Sequence, residues 1–212
     1  MFLNDFVNLT NSMKTLSRII ALSAVCIFAT QANAANFRTV VIDPGHGGQD
    51  NGGQWGKVYE KHLALDTAVR LESNLKRMGY RTVMTRRSDY FVTLPQRVAV
   101  GNKYKDAIFV SVHYNYTWKE QVSGLETFYY SAEGQKLAQQ VQRCLVHHTR
   151  TTDRQAKFAR FYVIRNSKVP AILVEGGFVS NEVERTRMKS AAFRESIARG
   201  VAEGIQRYRR MY

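Results

Sequence analysis

Two histidines and two glutamates of this chain stand where apolar runs end or where a helix begins: His46, Glu60, His113 and Glu175. His46 lies in Asp43-Pro44-Gly45-His46-Gly47-Gly48, directly after Val40-Val41-Ile42. His113 follows Ile108-Phe109-Val110-Ser111-Val112, and Glu175 follows Ala171-Ile172-Leu173-Val174. Glu60 opens a long amphipathic segment. In an open α/β sheet the carboxyl ends of the strands form the crevice where ligands bind. Two imidazoles and a carboxylate meeting there make a three-ligand zinc site with an open fourth position. A further carboxylate nearby is what a zinc hydrolase needs to take a proton from water. Each residue also has a plainer reading. A histidine after a strand is ordinarily a satisfied polar group, Glu60 suits a helix N-terminus, and Glu175 could pair with an arginine.

The elements that must position these residues follow from periodicity. Residues 39–43 read as a buried strand and 45–56 as a glycine-rich loop. From Glu60 to Met78, apolar side chains fall at 64, 68, 71, 75 and 78, the spacing of a helix that Gly79 stops. A short strand is predicted over 81–85, a helix over 94–103 and a central strand over 106–112, whose apolar run is nearly continuous. Residues 124–130 alternate as a strand nearer the sheet edge, 133–149 are helical, and 161–164 and 171–175 are predicted as further strands. Asn181 with Glu184 signals a helix start, and Phe193, Ile197, Val201, Ile205 and Tyr208 line one face of a final helix. Strands alternating with helices predict a three-layer α/β domain: a twisted, mostly parallel sheet with helices on both faces.

The N-terminal 34 residues stand apart. Met13 to Arg18 is a basic stretch, Ile19 to Ala29 a short apolar one, and Ala32-Asn33-Ala34 fits small-x-small cleavage. Residues 1–34 are therefore expected to be a signal peptide, with Met13 a possible true start, and 35–212 a single domain. The apolar run is too short to span a bilayer. Cys26 lacks the preceding small residue of a lipoprotein signal, since Val25 stands there, and beyond it only Cys144 is left. Cys144 falls on an apolar helical stripe and is expected to be a small buried hydrophobe. The formal net charge of +14 favours anionic envelope polymers or headgroups. The basic residues are scattered, with no aromatic-interleaved basic motif, so no nucleic-acid partner is expected.

Seven stretches, in order, resemble the zinc-dependent N-acetylmuramoyl-L-alanine amidases, which cleave peptidoglycan. They are Val41 to Gly48, Glu60-Lys61, Thr85-Arg86 with Asp89, Leu94 with Arg97, Ser111 to Asn115, Gly124-Leu125-Glu126, and Val174 to Asn181. The resemblance implies that His46, Glu60 and His113 hold one zinc ion and that Glu175 is the catalytic carboxylate. It implies hydrolysis of the amide between N-acetylmuramic acid and L-alanine, in wall remodelling or daughter-cell separation. The alternative is a zinc peptidase acting within the stem peptide. An exported monomer is expected, in the periplasm or cell envelope, with peptidoglycan as substrate and an envelope protein as a positioning partner.

Around the four residues, Arg86, Asp89 and Arg97 are expected to form a structural ion-pair and hydrogen-bond set. Asn115, two residues past His113, is a candidate substrate contact. Tyr114 departs from the small residue common in the family, and is expected either to reshape the groove wall or to pack under the sheet. Some members carry an inserted helix that plugs the site until a partner moves it. Here Tyr116 to Val122 and Ser131 to Gly134 are too short for one, and the expected domain leaves no room for a separate wall-binding module. His62 and His147 are expected in solvent and His148 partly packed.

Overall fold

In the computed structural model the described residues are 37–212, so the predicted signal peptide lies outside them. A six-stranded sheet runs in the order β4-β1-β5-β8-β6-β7. Strand β1 is Thr39–Pro44, β4 Arg81–Met84, β5 Ala107–Asn115, β6 Leu125–Tyr129, β7 Asp153–Phe158 and β8 Ala171–Phe178. The pairs β1–β4, β1–β5, β5–β8 and β6–β7 are parallel, and β6–β8 is antiparallel. Two short strands, β2 (Gln54–Trp55) and β3 (Val58–Tyr59), make a separate ribbon after β1.

Helices cover both faces. On one side α1 (Glu60–Arg77), α3 (Ala132–Thr149) and α6 (Ala191–Arg209) pack their apolar stripes, including Leu71, Val141 and Val201, against Val40, Ile42, Val110, Ile172 and Val174. On the other side α2 (Leu94–Asn102) and the single turn α4 (Tyr162–Arg165) cover Val41, Phe109 and Leu173. Side chains alternate across a pleated strand. Asp43, Ser111, His113 and Glu175 therefore share the face of Val41, Phe109 and Leu173, the face with the thinner helical layer. Helix α2 begins in a capping box between Thr93 and Gln96, with Pro95 in its first turn. Helix α5 (Glu182–Lys189) begins at Asn181, whose side chain accepts from Glu184 N. The Glu184 carboxylate turns instead to the backbone N–H groups of Gly124 and Phe178.

One stretch departs from the sequence reading. Residues 161–164, predicted as a strand, form the helical turn α4, with Arg165 N bonded to Phe161 O and Asn166 N to Tyr162 O. Only Val163 and Ile164 face the core, while Phe161 and Tyr162 are exposed, which is a one-turn pattern and not an alternation. The sheet strand lies upstream, at Asp153–Phe158. It is an edge strand, and its polar sequence fits an edge better than a core. No helix among the described residues is long and apolar enough to cross a membrane.

Candidate metal centre

His46 lies two residues past the end of β1, just before the Gly47–Asp50 turn, with φ at +59°, a left-handed backbone uncommon for a residue with a side chain. Such a conformation persists only where its surroundings hold it. Arg97 Nη2 donates to His46 O at 2.6 Å, and His46 Nδ1 bonds Asp50 Oδ2 at 2.8 Å. Arg97 also pairs with Asp43 at 2.8 Å, where both side chains are almost wholly buried. Arg86, 1% exposed, donates to the carbonyls of Pro44, Gly45 and Lys61. The two arginines brace the histidine loop, as expected of a structural set. Asp89 joins them, accepting from Lys61 Nζ at 2.9 Å and from Gly48 N of the same loop at 2.7 Å.

Glu60 is the first residue of α1, and its carboxylate reaches back under the loop. Its Oε1 lies 2.8 Å from His113 Nδ1 and 3.1 Å from His46 Nε2, and accepts from Tyr114 N at 3.0 Å. Its Oε2 accepts from Gly53 N at 2.7 Å. Gly52 clears the way: φ is +66°, and a Cβ there would come 2.5 Å from Glu60 Oε2 and 2.6 Å from His46 Cδ2. Burial pushes the Glu60 carboxyl up, but bonds from His113 and His46 outweigh it and hold the group well below the ordinary carboxylate range. For His46 burial lowers the pKa, and Glu60 and Asp50 together reverse it, so the net shift is upward.

The donor atoms of His46, Glu60 and His113 lie within 4.8 Å of one another. Zinc bonds of 2.0–2.2 Å set tetrahedral donors about 3.3 Å apart, so the trio suits the ion in chemistry and spacing. Asp50 supplies the outer partner that fixes a ligating imidazole.

Glu175 is the register partner of His113 across β5–β8 and of Glu126 across β6–β8. His113, Glu175 and Glu126 thus form a row on one face. Glu175 Oε2 is buried without a hydrogen-bond partner among the described residues. Burial first, then the charges of Glu60 and Glu126, push its carboxyl well above the usual range. A cleft of about 420 Å³ opens beside His46 and His113, walled by Phe91, Leu94, Phe161 and Tyr162.

The other residues singled out in the sequence are placed as follows. Asn115 Nδ2 donates to Glu126 Oε1 at 2.8 Å, and its Oδ1 accepts from Tyr116 N. Tyr114 packs under the sheet, fully buried, with its hydroxyl 2.6 Å from Thr67 Oγ1. Cys144 is buried, His148 bonds Glu203, and His62 and His147 are exposed. Among the described residues no helix lies between His113 and Ala132. Asp50 and Glu126 are the additions to the sequence reading. A carboxylate one helical turn's length after a candidate ligand was the available signal for Asp50. Glu126 carried none beyond its place in a motif.

A mostly parallel α/β sheet with a His-Glu-His trio and a buried glutamate toward its carboxyl ends defines a class, the three-layer α/β domains with a donor set that could hold a metal ion. The family follows from comparison: residues 40–207 match the N-acetylmuramoyl-L-alanine amidases, and the chain belongs to that family. The amidase LytC of Bacillus subtilis is 35% identical over 81% of this chain, which spans about a third (36%) of that relative's length. The catalytic domain of the amidase CwlV from Bacillus (Paenibacillus) polymyxa var. colistinus superposes with a TM-score of 0.78 at 36% identity, covering 81% of this chain and 98% of that one. The CwlD amidase of Clostridioides difficile, solved in complex with the GerS lipoprotein, gives 0.79 at 25% identity, covering 82% of this chain and all of that one.

Proposed function

We propose that this chain binds one zinc ion through His46, Glu60 and His113 and hydrolyses the amide between N-acetylmuramic acid and L-alanine in peptidoglycan. The observation that carries the reading is the convergence of three donors beside a buried glutamate whose Oε2 has no hydrogen-bond partner among the described residues. Zinc bound there supplies a Lewis acid that brings the pKa of water to roughly 7 and polarises the scissile carbonyl. The protein's own groups do the rest. Glu175 takes the proton of the attacking water and returns it to the amine nitrogen of alanine as the bond to the muramoyl carbonyl breaks. Asp50 orients His46 from its far nitrogen. The buried walls around Glu175 keep bulk water from competing for the proton.

The wider reading follows the same line. Residues 1–34 act as an export signal, and 35–212 form the catalytic domain, acting as a monomer in the periplasm or cell envelope. Its role is wall remodelling or daughter-cell separation, with an envelope protein for positioning; one solved neighbour was determined in complex with a lipoprotein.

The test is digestion of purified sacculi by the zinc-loaded protein, with mass analysis of what is released. Intact stem peptides with a free L-alanine N-terminus are expected. Cuts confined to bonds within the stem peptide would assign the chain to the peptidases instead.

A further inference from the structure

A charged cluster flanks Glu175 on the side away from His113, and its two cations have no role in the chemistry above. Glu126 is 4% exposed. Its Oε2 accepts from Arg154 Nε at 3.0 Å and from Lys157 Nζ at 2.6 Å, while Asn115 holds Oε1. Glu126 thus meets two cations, and the Glu184 carboxylate also lies within the field of Arg154. Both cations come from β7 and are partly open to solvent, Arg154 at 32% and Lys157 at 40%.

Arg154 is the better fixed of the two. The β6–β7 register slips between Leu125 and Thr127, and Gln155 takes a left-handed φ of +71°. Two residues of β7 thus oppose the single Glu126, a bulge of the kind that re-aims side chains. The Arg154 guanidinium lies 5.0 Å from the centre of the Phe178 ring. Its stem crosses Gly124, where φ is +116° and a Cβ would come 2.8 Å from Arg154 Cγ and 2.9 Å from Cδ. Nε is taken by Glu126, and neither Nη1 nor Nη2 bonds any described residue. A planar fork pinned at Nε, stacked on a ring and open along its outer edge is the geometry for bidentate capture of a carboxylate.

We propose that Arg154, assisted by Lys157, binds a carboxylate of the stem peptide on the amine side of the scissile bond and so sets peptide specificity. The inference rests on the amidase reading. The half of the substrate follows from charge, since an N-acetylated glycan offers no carboxylate at its sugar ring while a peptide does. The reach follows from the sheet. Two strand spacings separate β8 from β7, about 10 Å, and an extended peptide advances about 3.3 Å per residue. The carboxylate therefore belongs to the first two or three or so residues of the stem, by that spacing.

The experiment compares two soluble muramoyl peptides, identical except that the second residue is glutamate with a free carboxylate or the same residue as its carboxamide. The zinc-loaded wild type should show a kcat/KM about 10- to 100-fold higher for the free acid, the range for charge-assisted hydrogen bonds. In Arg154→Gln the ratio should fall about tenfold, and in Arg154→Lys, which keeps a point charge but loses the fork, to an intermediate value, with melting curves confirming the fold. Because Arg154→Lys keeps the charge and the stem, it stands in where Arg154→Gln fails to fold. Cleavage of both peptides without preference by the wild type, or a full preference kept in the variants, overturns the proposal alone. Cleavage of neither peptide overturns the amidase reading and the proposal with it.

Discussion

Glu60 and Glu175 are the same side chain in two surroundings that push them apart. Glu60 is held ionised by two imidazoles and two backbone N–H groups, whereas Glu175 is buried beside two other carboxylates and has an oxygen with no partner among the described residues. Environments that separate titratable groups mark separate roles. A divalent cation at the trio would draw the Glu175 pKa back down, so ion and base are coupled. Glu175→Gln is therefore expected to keep zinc, measured by metal analysis, while turnover on sacculi falls about 10²–10⁴-fold. Zinc lost in that variant would make Glu175 a ligand. The outer partner gives a second test. Asp50→Asn leaves the trio in place but weakens the hold on His46 Nδ1, and zinc affinity measured by chelator competition should fall about 10- to 100-fold. An unchanged affinity would remove Asp50 from the site. The trio was legible in the sequence because each member closes an apolar run or starts a helix and lies in a stretch that resembles the family's. Glu126 was not legible as a neighbour of Glu175, because that contact depends on the antiparallel pairing of β6 with β8.

At the scale of elements, buried apolar runs announced β1, β5 and β8, and 3.6-residue periodicity announced α1, α3 and α6. The misreading fell on the sheet edge. Strand β7 carries Asp153, Arg154, Gln155 and Lys157, so burial left no alternation to detect, and the apolar cluster after it belongs to α4. The polar residues that hide the strand are those that build the Glu126 cluster. The loop after β1 depends on arginines supplied by other elements, Arg86 after β4 and Arg97 from α2, which no local pattern reveals. Arg97→Met should show how much. The variant leaves the Asp43 carboxylate buried with Thr85 and Ser111 as its remaining donors. Removing one member of a buried ion pair costs about 3–5 kcal/mol. Denaturant unfolding should report a loss of that order, and a loss below about 1 kcal/mol would mean that water or relaxation replaces the arginine.

At the scale of the whole molecule, two cores of unequal depth leave the chemistry on the thinly covered face. Exposed Tyr90, Phe91, Leu94, Phe161 and Tyr162 belong to segments around the cleft or its approaches, so that side is aromatic as well as accessible. No helix among the described residues intervenes between His113 and Ala132 to plug it. The purified protein, loaded with zinc, should therefore cleave sacculi without an activator. The formal net charge of +14 adds a second expectation, because the cell wall and its attached polymers carry anionic groups. Exposed charges are screened within about 8–10 Å at 0.1–0.15 M ionic strength. Pelleting assays should show binding to sacculi weakening as salt rises from about 0.05 to 0.5 M, while turnover of a small uncharged muramoyl peptide changes far less. Salt-independent pelleting would assign the attraction to specific contacts in the cleft. Zinc-loaded protein that is silent alone and active after addition of an envelope extract would show that a segment of this chain does cover the site, and the Gly47–Tyr59 loop, which already touches His46 and Glu60, is the one placed to do it.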